Sequence, residues 1–122
     1  MAQHTDLGKK GEDLAFYYLI KKGFKISERN WRYDKAEIDI IAIHKNRLVF
    51  VEVKTRSAAI YEEPRDAISN SKIKLLTSAA EAYILEKEID IEARFDVVFI
   101  KWYREGKYEL NHIEDAFSPI VD

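Results

Sequence analysis

Two runs of β-branched, aliphatic and aromatic residues, Ala36–His44 and Arg47–Lys54, meet across the polar dipeptide Lys45-Asn46. Residues of these types favour strands, and a two-residue polar break between two such runs is a hairpin signal. If Lys45 and Asn46 form the loop, His44 faces Arg47, Asp39 faces Glu52 and Glu37 faces Lys54. Alternation then puts Asp39, Glu52 and Lys54 on one face and leaves Val49, Val51 and Val53 to a core on the other. Opposed residues in an antiparallel pair stand ~5 Å apart at Cβ. Two carboxylates and an ammonium would therefore converge at one end of an apolar hairpin. A four-residue loop with the same centre keeps this register, whereas an odd-length loop or a bulge offsets it.

Two acids this close repel unless a cation lies between them or one takes up a proton. A hard divalent cation resolves the conflict, because Mg²⁺ favours carboxylate oxygens and retains several waters. Held by Asp39 and Glu52, such an ion would polarise a phosphate and acidify a bound water. Lys54 would then orient or deprotonate that water, or balance charge in the transition state. The alternative is structural: Glu52 and Lys54 as solvated charges where an edge strand emerges, with Asp39 in a turn. Spacing alone leaves both open, since Glu-x-Lys is too short a pattern to decide. The chain has no cysteine, and His4, His44 and His112 lack zinc-ligand spacing.

Thr5 or Asp6 can cap a helix to about Lys22, stopped by Gly23, with Leu7, Gly11, Leu14, Ala15, Tyr18 and Leu19 as its apolar stripe. Glu12 falls at the edge of that stripe, where a helical acid could reach a sheet-borne metal. The alternative is an exposed glutamate that favours the helix dipole. Phe24–Trp31 reads as a first strand and Tyr33-Asp34-Lys35 as the turn into the hairpin. Ser57–Asn70 is irregular, with Pro64 opening a short helix. Ser71 can cap a second helix to about Lys87, with Ile73, Leu76, Ala80, Tyr83 and Ile84 inward. Phe95–Tyr103 and Lys107–Ile113 read as strands around Glu105-Gly106. The order αβββαββ predicts an α/β fold, a mixed sheet flanked by helices. Residues 1–117 are expected to form a single domain and 118–122 a poorly tied C-terminal tail.

The N-terminus carries no signal-peptide pattern and no apolar run approaches membrane-spanning length, so a cytoplasmic protein is expected. The net charge of −2 weighs against non-specific coating of nucleic acid. It leaves room for a local cationic groove. Lys54, Arg56, Arg65, Lys72 and Lys74 cluster in and beyond the second strand of the hairpin, interrupted by Glu62, Glu63 and Asp66, and Arg29 and Arg32 precede it. Trp31 and Tyr61 could stack on bases, although an aromatic beside a strand is more often core.

Several stretches carry a resemblance: Gly8-Lys9-Lys10-Gly11-Glu12-Asp13-Leu14-Ala15, Arg29-Asn30-Trp31-Arg32, Glu37-Ile38-Asp39-Ile40-Ile41 and Val49-Phe50-Val51-Glu52-Val53-Lys54-Thr55-Arg56. Lys72, Arg94-Phe95-Asp96-Val97-Val98 and Ala116-Phe117 extend it. Asp39, Glu52 and Lys54 resemble the PD-(D/E)XK signature of the restriction-endonuclease-like superfamily. The chain is more closely similar to the bacterial YraN-like family, relatives of the archaeal Holliday-junction resolvases. One departure is Ala36, where the family usually has glycine; a position needing φ > 0 would strain alanine.

The resemblance implies a restriction-endonuclease-like fold, with Asp39 and Glu52 as metal ligands and Lys54 as the active-site lysine. Glu12 matches the helical acid that some resolvase-like members bring to the metal. The implied cofactor is Mg²⁺, with Mn²⁺ as a substitute, and the implied partner is nucleic acid, above all DNA. Arg56, Lys72 and Arg32 are the expected phosphate contacts. Resolvase-like relatives often pair, so a homodimer is an open expectation. The implied function is a metal-dependent nuclease acting on DNA, including branched forms. The alternatives are a non-catalytic nucleic-acid-binding module and a protein-interaction domain on the same fold.

Overall fold

In the computed structural model, which describes residues 5–60, 62–64 and 68–121, the chain runs α1 (Asp6–Lys21), β1 (Lys25–Tyr33), β2 (Ala36–His44), β3 (Arg47–Ser57), α2 (Asn70–Glu86), β4 (Ala93–Arg104) and β5 (Lys107–Phe117). Thr5 caps α1 by accepting the Gly8 N–H at 2.9 Å, and Gly23, at φ 93°, turns the chain out of the helix. The cap of α2 is Ser69, which accepts the Lys72 N–H at 3.2 Å, not Ser71. Ser69-Asn70-Ser71 offers two hydroxyls, and the extended backbone of the first fixes the helix start there.

The sheet order is β1-β2-β3-β4-β5, with β3 and β4 parallel and every other neighbouring pair antiparallel. A parallel pair needs a long crossover, and α2 lies within it. Alternation along β3 divides the core in two. Leu48 and Phe50 pack with Leu76, Ala80 and Tyr83 of α2. Val49 and Val51 pack with Ala15 and Leu19 of α1. The helices thus cover opposite faces, and β4 between them is buried without interruption from Phe95 to Ile100.

Lys45 and Asn46 form the two-residue turn, both at positive φ as a type I′ hairpin demands. The β2–β3 ladder runs from His44↔Arg47 to Ile40↔Val51 in the expected register. Ala36 has no positive φ and is buried in the core, so the departure from glycine is accommodated without strain. Strand β5 runs to Phe117, four positions past Ile113, because a kink at Asp115 (φ 52°) lets the pairing resume at Phe95↔Phe117. Beyond it the Ile120 N–H donates to Thr77 Oγ1 at 3.1 Å, pinning the chain to α2 where a loosely tied segment was expected. His4, Tyr61 and Arg65, and the helix expected after Pro64, lie in or run into residues outside those described. Among the described residues no helix is long and apolar enough to cross a membrane.

Candidate active site

The β2–β3 ladder stops one pair short of Asp39. Asp39 Oδ2 accepts the Val53 N–H at 2.8 Å, so its carboxylate occupies a donor that continued pairing would have used. Asp39 and Glu52, like Glu37 and Lys54, are therefore not the direct cross-strand partners that the register alone suggests. Glu37 turns instead to β1, where its Oε1 lies 3.7 Å from Arg32 Nη2. At this end of the hairpin lies a cleft of 220 Å³, lined by Glu12, Asp39, Glu52, Lys54, Arg56 and Lys72 with the start of α1. The expected acid–acid–lysine set meets there, and both helices contribute to it.

Glu52 is 4% exposed. Its Oε2 lies 3.4 Å from Lys54 Nζ and 3.7 Å from Lys72 Nζ, while its Oε1 is buried with no hydrogen-bond partner. A buried oxygen without a donor is costly unless something else supplies positive charge. Burial first, then the charge of Glu52 and, less strongly, of Glu12, push the Asp39 carboxyl well above the ordinary carboxylate range; the Val53 N–H opposes them. Crowding of acids is thus a property of the folded site. Asp96, also fully buried, is the contrast: it accepts from Arg94, from the Asp115 N–H and bonds His112 Nε2 at 2.8 Å. Burial works against its ionisation, but the His112 and Arg94 hydrogen bonds hold its carboxyl below the ordinary range. One buried acid is satisfied and one is not.

Among the described residues no group of three or more His, Asp and Glu side chains could enclose a metal by itself. Two carboxylates, one with an unpartnered oxygen, fit Mg²⁺ or Mn²⁺, hard ions content with few protein ligands and several waters. Glu12 is buried in the second turn of α1, and its Oε1 accepts from Asn30 Nδ2 at 2.9 Å. Gly11 makes that seat possible: a Cβ there would stand 1.7 Å from Thr55 Oγ1 on β3.

Other expected residues sort differently. Lys72 reaches the cleft from the first turn of α2. Arg56 lines it, yet its Nε is already held by Glu62 Oε1 at 2.7 Å. Arg32 is half-exposed on β1 against Glu37 and does not line the cleft. Trp31 packs edge-on against Tyr83, 5.1 Å between centroids, which assigns it to the core and not to base stacking. Asn30 was not recognisable as a site residue, because nothing in a strand-like run announces a positive φ.

Comparison with known proteins adds descent. The model of the uncharacterised protein family UPF0102 matches residues 11–100. A UPF0102 protein of Flavobacterium psychrophilum is 49% identical over 118 residues, covering 96% of this chain and 98% of its own. Relatives from Christiangramia forsetii and Bacteroides thetaiotaomicron are 46% and 43% identical, each covered to 98%. Among solved structures, Pyrococcus furiosus SfsA in complex with Ca²⁺ is similar at a TM-score of 0.44 and 12% identity, over 87% of this chain and 63% of that one. On the family match and these relatives, the chain belongs to the uncharacterised protein family UPF0102, the YraN-like family that its motifs resemble.

Proposed function

We propose that this protein is a divalent-metal-dependent nuclease that hydrolyses phosphodiester bonds in DNA, with branched or otherwise structured DNA as its substrate. The observation that carries this reading is Glu52: a buried carboxylate with one oxygen braced by two lysines and the other without a hydrogen bond, lining one cleft with Asp39. Asp39 and Glu52 would hold Mg²⁺ or Mn²⁺, with Glu12 adding a third negative charge beside them. A bound ion supplies Lewis-acid polarisation of the phosphate and a more acidic water. Lys54 orients the attacking water and balances charge as the P–O bond breaks. Lys72 has the reach to hold a phosphate oxygen at the same cleft, and Arg56 can do so by exchanging Glu62 for phosphate. The sequence resemblance to the PD-(D/E)XK signature supports the same roles.

Junction, flap, single-stranded and duplex substrates incubated with Mg²⁺ or Mn²⁺, beside an Asp39→Asn variant, test this. The wild type should cut at least one of them, and the variant and a chelator should each abolish the cut. Equal cleavage by the variant would remove Asp39 from the mechanism. Chelator-insensitive binding without products would point to a nucleic-acid-binding module. Absence of both would leave a protein-interaction domain.

A further inference from the structure

Asn30 lies inside β1 with φ 52°, a left-handed conformation that strands do not otherwise use. The ladder pairs Arg29 with Ile40 and Trp31 with Ile38, which leaves Asn30 abreast of Asp39 and outside the pairing on both sides. Successive strand residues normally point to opposite faces. Here Arg29 and Asn30 both turn to α1, Arg29 to Asp13 at 2.9 Å and Asn30 to Glu12 at 2.9 Å, and Trp31 then packs with α2. The kink therefore adds a second side chain to the face that carries Glu12. That side chain ends in an amide, which donates to a carboxylate without bringing charge to a crowded site.

We propose that Asn30 is a positioning residue of the metal site: its strained backbone aims the side-chain amide at Glu12 and fixes that carboxylate beside Asp39 and Glu52. The inference rests on the metal-site reading above. It differs from a purely conformational role, in which asparagine serves only because it tolerates a left-handed φ. Glycine tolerates that φ better and has no amide. Aspartate matches asparagine in shape and shares its tolerance, but replaces the donor with a second acceptor.

The test measures Mn²⁺ affinity by calorimetry, beside thermal midpoints, for the wild type, Asn30→Gly and Asn30→Asp. Groups that orient a metal site from outside its ligands are worth ~10–100-fold in metal affinity. Asn30→Gly is expected to fold, with the left-handed strain relieved, yet to bind Mn²⁺ about tenfold more weakly, and Asn30→Asp to move Glu12 by repulsion even where its added charge offsets the loss of affinity. A glycine variant with wild-type affinity overturns the proposal, because the kink alone would then suffice. Should the glycine variant fail to fold, a Glu12 amide resonance unmoved in Asn30→Asp has the same force. Loss of affinity in a protein that cuts no DNA still supports the role of Asn30 while sinking the nuclease reading. A wild type that binds no Mn²⁺ sinks both.

Discussion

Asp39 sits where burial and a neighbouring acid both disfavour its charge. With its folded carboxyl pKa raised by burial and by Glu52, the native chain keeps a proton that the unfolded chain has released. Stability must therefore fall as pH rises from the ordinary carboxylate value through the raised one, and the full penalty remains above it. Asp39→Asn removes that penalty. In chelator the variant should melt higher than wild type at pH 8, by roughly 4 °C per kcal/mol relieved, with a smaller gain at acid pH. Equal midpoints at both pH values would mean that the site stores no repulsion. That Asp39, Glu52 and Lys54 come to one end of the hairpin was legible in sequence, because a two-residue loop brings their stretches together; that Asp39 leaves the ladder to take the Val53 N–H was not. Asn30 and the bare oxygen of Glu52 were not, since a single backbone angle and a missing partner leave no mark on residue order.

At the scale of elements, the closest approach of α1 to β3 decides where Glu12 sits. Gly11 is buried at that crossing, and a methyl group there would lie 1.7 Å from Thr55 Oγ1 and 2.9 Å from its Cβ. Gly11→Ala would gain ~1 kcal/mol of helix propensity but overpack the crossing, at a cost of ~1–3 kcal/mol. A lower urea midpoint and a displaced Glu12 are expected; a stabilised variant would show that α1 shifts freely. Helix existence and inward stripes were readable from the 3.6-residue period. The finer points were not. Ser69 and Ser71 compete for one cap, and β5 continues only because Asp115 kinks and gives its N–H to Asp96. Where the β2–β3 ladder ends was equally hidden, as it depends on a side chain capturing a backbone donor.

Across the whole molecule, the sheet order places β3 between a hairpin partner and a parallel neighbour, so its middle is buried on both faces. The element order αβββαββ was readable, because each element announced itself locally. What lay beyond reach was the arrival of both helices at one cleft, which joins Glu12 from one layer to Lys72 from the other. Two buried acids then separate by role: Asp96 ties β4 to β5 with every oxygen engaged, while Glu52 keeps one oxygen bare. Adding Mn²⁺ at substoichiometric amounts to ¹⁵N-labelled protein tests this division directly, through the amides whose resonances broaden first. The account predicts loss first at Asp39, Glu52, Val53, Lys54 and Glu12, with Asp96, one strand away opposite Val51, and His112 fading only at higher Mn²⁺. Sharp resonances at the first group, or broadening centred on the second, would contradict it.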